Sequence, residues 1–281
     1  MSLVITGAAG HLGRRVAELL LDRIDPADVV LVTRRPGDLS DLAARGADVR
    51  GGDFDDPASL DAAFAGGERL LLVSTDALGR RVVQHRNAID AAVRAEVRHV
   101  AYTSILNPAP GTSPVADDHR ATEEALQASG LAWTLLRNGL YSEYRIPEAQ
   151  SALAAGAFHH NLGDGRTAYV SRDDCAAAAA VVLAGGAEHE GQAYDITGPE
   201  LLGADDLARI YGTGTVAVDD AAFVAGALAA SLPEDVAQLL AGFGRAVREG
   251  HLDQRSDAVA RLTGRPASSV AAVVEPALAR A

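Results

Sequence analysis

Three glycines near the start of the sequence have the spacing of an anion-binding loop. In "VITGAAGHLGRR", Gly7, Gly10 and Gly13 follow a short apolar run and precede a helical pattern. The first glycine permits a sharp exit from a strand, the second leaves room for a phosphate, and the third allows close helix packing. The GxxGxxG spacing predicts a dinucleotide pyrophosphate at the helix start, and the alternative is a glycine-rich turn without a ligand. The candidate contacts are Thr6, Gly7, Gly10, His11, Leu12 and Gly13.

The residues after the second predicted strand distinguish between the two nicotinamide cofactors. A protein that binds NAD(H) usually has an acidic residue there to hold the ribose hydroxyls. This chain has Thr33, Arg34 and Arg35 instead. Because arginine suits the geometry of a phosphate group, Arg34 predicts that NADP(H) is favoured over NAD(H). The alternative is that both arginines are solvated surface side chains.

Further polar residues follow the next three predicted strands. Asp53 and Phe54 in "GGDFDD" are candidates to contact the adenine, and the alternative for Asp53 is a helix N-cap just ahead of Pro57. The candidates for the ribose and pyrophosphate are Ser74, Thr75 and Asp76. Thr103 and Ser104 are similarly placed, although hydroxyls at such positions form turns as often as they bind ligands.

All 25 basic residues are arginine, so the sequence contains no lysine. This excludes Walker-type phosphate loops, Schiff-base catalysis and the Tyr-x-x-x-Lys pair of ordinary short-chain dehydrogenases. His119 is a candidate proton donor, and the alternative is an exposed histidine at the start of a helix. The other seven histidines do not have the spacing to carboxylates that predicts a metal site. His159 and His160 are expected to point to opposite faces if they lie in a strand.

A parallel sheet is needed to position these side chains. Strand patterns occur near residues 3–5, 29–33, 48–51, 69–74, 98–104 and 132–139. Helical patterns alternate with them, near residues 11–21, 39–45, from 57, 79–94 and 117–129. Such alternation predicts the α/β class, with a doubly wound parallel sheet, or Rossmann fold, whose ligands lie at the carboxyl ends of the strands.

The rhythm changes near residue 141. Residues 1–140 are predicted to form the NAD(P)-binding Rossmann domain. Residues 141–281 are predicted to form a smaller, mainly helical substrate region, some of whose elements return to the sheet. Helices are expected near 147–155 and 173–184, and a strand near 194–197.

Composition narrows the class of protein. A hydrophobic content of 48% over 281 residues is enough for a substantial core, and a net charge of −13 argues against nucleic acid as a partner. No apolar run approaches the roughly 20 residues of a membrane span, and the chain starts with a strand pattern rather than a signal peptide, so we expect a cytoplasmic protein. The single cysteine, Cys175, is expected to be a small buried helix residue, with redox sensing as the alternative.

Segments that resemble those of a known protein family occur along almost the whole chain. They are "ITGAAGHLG", "LLLVST", "QHRNAIDAA", "AYTS", "ADDHRATEEALQASG", "TLLRNGLYSEY" and "GDGR", together with Arg34. In these segments the sequence resembles the NmrA-like branch of atypical short-chain dehydrogenases/reductases and, within it, the bacterial NAD(P)H:quinone oxidoreductases of type 2. The resemblance implies that residues 7–12 and Arg34 hold the adenosine diphosphate half of the cofactor. It also implies that residues 74–76 line the ribose and residues 138–143 pass the nicotinamide end.

The stretch "RNGLYSEY" carries the implied chemistry of the nicotinamide end. Asn138 can donate and accept hydrogen bonds, and Tyr141 and Tyr144 offer faces for stacking a flat ring. The alternative is an ordered loop whose tyrosines pack in the second region. The implied cofactor contacts are Asn138, Gly139, Tyr141, Ser142 and Glu143. The implied catalytic residues are Asn138, Tyr141 and His119.

One position departs from the family pattern. Relatives carry His-x-x-x-Glu-Lys where this chain has His119, Glu123 and Glu124, so a mechanism that uses that lysine is in doubt. The resemblance implies an NADPH-dependent two-electron reductase of quinones or similar flat electrophiles, acting by direct hydride transfer. Such a reaction needs no lysine, because the hydroquinone oxygens take protons from water. The alternative is a non-catalytic NADP(H)-binding redox sensor with a protein partner.

Overall fold

The computed structural model describes residues 2–280. The strands of its main sheet are β1 (Leu3–Ile5), β2 (Val29–Thr33), β3 (Asp48–Gly51), β4 (Arg69–Leu72), β5 (His99–Ile105), β6 (Ala132–Asn138) and β8 (Gln192–Ile196). Their order is β3-β2-β1-β4-β5-β6-β8. The pairs β1–β2, β1–β4, β2–β3 and β4–β5 are parallel. The predicted Rossmann fold is therefore confirmed, and the strand order reverses between β1 and β4, where such sheets bind ligands.

Helices alternate with these strands and flank the sheet. They are α1 (His11–Leu21), α2 (Ser40–Ala44), α3 (Pro57–Phe64), α4 (Arg81–Arg94), α5 (Ala116–Ala128) and α7 (Arg172–Gly185). The remaining helices are α6 (Arg145–Ala155), α8 (Ala204–Tyr211), α9 (Asp220–Ala229), α10 (Glu234–Arg248), α11 (Ala258–Thr263) and α12 (Val270–Leu278). Two further strands, β7 (Ala157–His160) and β9 (Gly214–Ala217), form a parallel pair of their own.

The apolar strand sequences follow from the position of the sheet between helices. Every residue of β1, β2 and β5 is buried, as expected for parallel strands covered on both faces. One core cluster joins Val30 and Val32 of β2 to Phe64 of α3 and Ile89 of α4. On α1 the buried face includes Val16 and other residues at helical spacing.

Two smaller predictions about buried side chains are confirmed. Cys175 is 2% exposed and lies in α7. In β7, His159 is exposed and His160 is buried, so the two histidines point to opposite faces. Within residues 2–280, no helix combines the length and the apolar character needed to cross a bilayer.

The chain divides into two compact units, each assembled from several segments. The first contains the described residues up to Ile105, together with Asp118–Arg137 and Asp173–Tyr194. The second contains Leu106–Asp117, Asn138–Arg172 and the described residues from Asp195 onward. It has its own core, which includes Phe158, Leu207, Tyr211 and Val247. A division of function between residues 1–140 and 141–281 stays a prediction.

Candidate functional site

The loop of three glycines connects β1 to α1. Gly7 has φ +61°, a left-handed conformation that favours glycine. Its carbonyl oxygen accepts a hydrogen bond from the Gly10 N–H at 2.9 Å. A Cβ atom on Gly13 would lie only 2.4 Å from the same carbonyl oxygen. The third glycine is therefore required because α1 packs directly against the loop.

The first turn of α1 presents N–H groups without intrahelical acceptors. The helix begins at His11 with Gly10 as its N-cap, and no side chain caps it. The N–H groups of His11, Leu12 and Gly13 precede the first helical hydrogen bond. A Cβ atom on Gly10 would contact only the Gly7 carbonyl oxygen, at 3.2 Å, and would otherwise fill open space. A pyrophosphate fits this cradle, because the N–H groups and the helix dipole both favour an anion.

Thr6 has a structural role in the sheet. Its side chain is fully buried. The hydroxyl donates to the Leu71 carbonyl oxygen at 3.0 Å and accepts from the Val73 N–H at 3.0 Å. The Thr6 side chain therefore links β1 to β4, and its predicted contact with the cofactor stays a prediction.

The two arginines after β2 have different surroundings. Arg35 pairs with Asp38, with 2.8 Å between Nε and Oδ2. Arg34 is exposed and has no ion-pair partner among residues 2–280. The Thr33 hydroxyl accepts the Arg35 N–H at 3.3 Å, which fixes the turn. Arg34 is therefore the arginine whose guanidinium is available for a phosphate.

Asp53 forms a local turn rather than a helix cap. Its carboxylate accepts the Asp55 N–H at 3.0 Å, and the residue at the N-cap of α3 is Asp56. The N-cap alternative for Asp53 is therefore wrong, because the helix starts three residues later than that role requires. Phe54 is partly buried against the sheet core, and its carbonyl oxygen accepts from the Asn87 side chain at 2.8 Å.

Residues 74–76 are held by side chains of the neighbouring elements. The Ser74 N–H donates to the Thr103 hydroxyl at 2.8 Å. The Thr75 hydroxyl donates to Gln84 Oε1 at 2.8 Å, and the Thr75 carbonyl oxygen accepts from Arg81 Nε at 2.7 Å. Asp76 is exposed. These bonds fix the main chain at the carboxyl end of β4 and leave the Asp76 side chain at the surface.

A buried polar network holds the main chain of residues 74–76 in place. His85 Nε2 accepts the Thr75 N–H at 3.1 Å, and Nδ1 lies 3.0 Å from the Thr122 hydroxyl oxygen. Because Thr122 donates its own hydrogen to the Asp118 carbonyl oxygen at 2.9 Å, we assign the proton of His85 to Nδ1. Burial, assisted by the positive charge of Arg81, lowers the pKa of His85 to about 3. His85 is therefore neutral, with Nε2 as a fixed acceptor for the segment.

His119 belongs to the same network. Its Nδ1 lies 2.7 Å from the Tyr102 hydroxyl oxygen, and the residue is 6% exposed. The alternative of an exposed histidine is therefore wrong, because α5 turns this side chain inward. Burial, assisted by Arg81 and His85, lowers the pKa of His119 to about 3. At neutral pH the side chain carries no proton beyond that of the neutral ring.

The network was missed at the sequence level. On α4, Arg81, Gln84, His85 and Ala88 are all buried. Their spacing places them on one helix face, so polar side chains occupy positions that usually hold apolar ones. The signal in the sequence was therefore a set of polar residues with the helical spacing of a buried face. A pattern of apolar residues alone does not reveal such a face.

Glu123 and Glu124 of α5 lie in different environments. Glu123 is buried, accepts the Ser104 hydroxyl at 2.6 Å and pairs with Arg137 at 2.6 Å. The Glu124 side chain is 61% exposed and pairs with Arg120 at 2.8 Å. Glu124, which stands where the family resemblance implies a lysine, therefore points to solvent.

In the second unit, Gly139 turns the chain at the end of β6. Its N–H donates to the Ile196 carbonyl oxygen at 2.9 Å. A Cβ atom here would lie 3.1 Å from the Ala168 carbonyl oxygen. Glycine therefore allows three backbone segments to meet at this point.

Residues 138–143 contain buried polar atoms without partners. Asn138 is 5% exposed, and its amide nitrogen donates to the Tyr141 hydroxyl oxygen at 3.3 Å. Glu143 Oε1 accepts the main-chain N–H of Arg172 at 2.8 Å. No hydrogen-bond partner in the described chain serves Asn138 Oδ1, Ser142 Oγ or Glu143 Oε2. Since buried polar groups are nearly always paired, these atoms fit a ligand that offers donors and an acceptor, as a carboxamide does.

The two tyrosines of this segment face an arginine. The Tyr141 and Tyr144 ring centres are 6.0 Å apart, and the guanidinium of Arg172 lies over both rings. Tyr144 is 54% exposed. Arg172 is not among the residues predicted for the site, because nothing in the pattern around "VSRDD" relates it to residues 138–144.

The predicted residues of the first unit collect at one edge of the sheet. The glycine loop, Arg34, Asp53 and residues 74–76 follow the carboxyl ends of β1, β2, β3 and β4, which are neighbouring parallel strands. Across residues 2–280, no group of three or more His, Cys, Asp or Glu side chains is arranged to bind a metal ion.

Comparison with known proteins identifies a family and similar structures. Residues 7–185 match the model of a protein family described as NAD(P)H-binding. The chain is 38% identical to quinone oxidoreductase 2 of Escherichia coli (strain K12) over 275 residues, 96% of each protein. The crystal structure of the E. coli NADPH-dependent quinone oxidoreductase QOR2 complexed with NADPH is similar, with a TM-score of 0.94 and 37% identity over 98% of this chain and 99% of that chain. An NmrA-like family domain-containing oxidoreductase of Aspergillus flavus is 32% identical over 225 residues, 76% of this chain and 72% of its own length.

Proposed function

The chain belongs to the NAD(P)H-binding family, and from that membership we propose that it is an NADPH-dependent reductase of quinones or similar flat electron acceptors. The observation that carries the proposal is the uncapped first turn of α1 after the glycine loop, together with Arg34, which has no ion pair within residues 2–280 and follows β2, the strand paired with β1. The choice of acceptor is supported by the likeness to quinone oxidoreductase 2.

In this proposal the residues of the first unit bind the adenosine half of the cofactor. The N–H groups of His11 and Leu12 bind the pyrophosphate, and Arg34 binds the 2′-phosphate. Asp53 and Phe54 contact the adenine, and residues 74–76 contact the ribose.

Residues 138–143 bind the nicotinamide end and orient the acceptor. Bound NADPH supplies a hydride. Asn138 and Glu143 offer unpaired acceptor atoms to the carboxamide, and Tyr141 stacks against a flat ring. A quinone accepts the hydride and then takes a proton from water to become the hydroquinone. The contribution of the protein is therefore positioning rather than proton supply.

A panel of uncharged quinones tests the proposal, with the loss of NADPH absorbance as the readout. We expect turnover without added flavin, and NADPH deuterated at the transferred position of the nicotinamide C4 should be oxidised more slowly than unlabelled NADPH if hydride transfer limits the rate. A protein that binds NADPH but oxidises it with none of the quinones would be a redox sensor instead, which would overturn the proposal.

A further inference from the structure

Arg172 stacks on two aromatic rings in the second unit. Its guanidinium carbon lies 5.2 Å from the ring centre of Tyr141 and 4.8 Å from that of Tyr144. Because Tyr144 is 54% exposed, this group of three side chains reaches the surface. Stacking on the rings occupies the face of the guanidinium and leaves N–H donors along its edge.

Arg172 has no ion pair within the described chain, unlike several other arginines of the same unit. Arg145 pairs with Glu148 at 2.6 Å, and Arg248 pairs with Asp220 at 2.9 Å. The carboxylate of Glu143 contacts Arg172, but it accepts the main-chain N–H. The edge of a partly buried guanidinium therefore stays available for an external anion.

The neighbouring segment, proposed above to bind the nicotinamide end and orient the acceptor, also has features of a ligand site. Asn138 Oδ1 and Ser142 Oγ are buried without a hydrogen-bond partner. Both residues are more than nine-tenths buried, so water does not readily compensate for the missing bonds. The cation of Arg172 contacts Tyr141 of this same segment. A ligand here would therefore meet hydrogen-bonding atoms and a positive charge.

We propose that Arg172 selects electron acceptors that carry an anionic substituent, such as a sulfonate or a carboxylate, on a flat ring. The inference rests on the proposed function, because it takes residues 138–144 as the acceptor-binding segment. Tyr141 and Tyr144 hold the plane of the guanidinium, and the anionic substituent accepts hydrogen bonds from its edge. A chain with a net charge of −13 repels anions on average, so a local unpaired cation is what allows such an acceptor to bind.

A matched pair of acceptors tests the inference: a naphthoquinone sulfonate and the same naphthoquinone without the sulfonate. We expect Arg172→Gln to lower kcat/KM for the sulfonate about tenfold or more. The value for the uncharged quinone and the KM for NADPH should change much less. Arg172→Lys keeps the charge but loses the planar edge, so it should restore part of the difference. The control is Arg23→Gln, which removes an exposed arginine in the turn after α1.

Binding without turnover provides a second readout. Calorimetry with naphthalene sulfonate, which is not reduced, should show weaker binding to Arg172→Gln than to the parent or to Arg23→Gln. Equal losses for both quinones, no loss for either, or a selective rise in the KM for NADPH would each overturn the inference. A parent that reduces neither quinone would instead overturn the proposed function, so the two failures are distinguishable.

Discussion

Of the two neighbouring arginines at the end of β2, only one already has an ion-pair partner in the described chain. Arg35 pairs with Asp38, whereas Arg34 is exposed without an ion pair in residues 2–280. A guanidinium already bound to a carboxylate gives up that contact before it binds a phosphate. The proposed selectivity for the 2′-phosphate therefore belongs to Arg34.

Replacing Arg34 tests this assignment. Arg34→Ala should weaken NADP(H) binding by roughly 10- to 150-fold, which corresponds to the loss of a charged hydrogen bond of about 1.5 to 3 kcal/mol. NAD(H) binding should hardly change, and Arg35→Ala should have a smaller effect on either cofactor. Calorimetry measures all of these affinities. Equal affinities of the parent for the two cofactors would contradict the prediction.

Variants of His119 and of the two tyrosines distinguish proton supply from positioning of the electron acceptor. His119 is buried with its pKa lowered to about 3, so it is a poor source of protons at neutral pH. We expect His119→Ala to keep quinone reduction within about tenfold, although general acids are usually worth about 10² to 10⁴. Replacing both Tyr141 and Tyr144 by Ala should cost much more, because stacking orients the acceptor. Steady-state rates with benzoquinone decide this, and a hundredfold loss in the histidine variant would restore acid catalysis.

At the scale of elements, the glycine loop separates ligand binding from packing. Gly10 caps α1 and faces open space, whereas Gly13 sits where a Cβ would collide with the Gly7 carbonyl oxygen. The two positions share a motif but have different reasons to be glycine.

Substitutions at these positions should therefore have different effects. Gly10→Val should abolish cofactor binding, because its methyl groups occupy the space for the pyrophosphate, while the melting temperature without cofactor changes little. Gly13→Ala should instead lower that melting temperature. Thermal melts with and without NADPH measure both effects. A Gly10→Val protein that NADPH stabilises as strongly as it does the parent would show that the loop is not the site.

The buried histidines of α4 and α5 make the stability of the folded protein depend on pH. For His85 and His119 the pKa is about 3 in the folded chain, against about 6.5 when unfolded. Between these values the unfolded chain binds more protons, so their contribution to stability is complete above pH 6.5 and is lost as the pH falls toward 3. Urea unfolding should show a slope of up to about 1.4 kcal/mol per pH unit for each histidine. His119→Gln should remove one such contribution, whereas His159→Gln, at an exposed position in β7, should not.

Across the whole molecule, the sheet was more predictable than the sites. The bounds of β2 and β3 agree with the sequence analysis, because apolar runs and flanking turns define a strand locally. The family resemblance is also confirmed, by the match to the NAD(P)H-binding family and the likeness to quinone oxidoreductase 2. The predicted cofactor contacts stay predictions.

Contacts between residues that are distant in the chain could not be predicted from the sequence. His85 and Tyr102 contact residues of α5 that are distant in the chain, and the stacking of Arg172 on Tyr141 joins positions that are separated by a strand and a helix. Such contacts depend on how elements pack, which residue spacing alone does not specify.

The burial of Cys175 has a practical consequence. It is the single cysteine of the sequence and is 2% exposed inside α7. A thiol reagent reaches it only when that helix transiently opens. The rate of labelling therefore reports how often the native protein opens, and no probe has to be introduced. A cofactor that binds only the closed form would slow the label in proportion to its occupancy. The unmodified chain thus carries its own chemical probe of how often α7 opens and of how far the cofactor suppresses that opening.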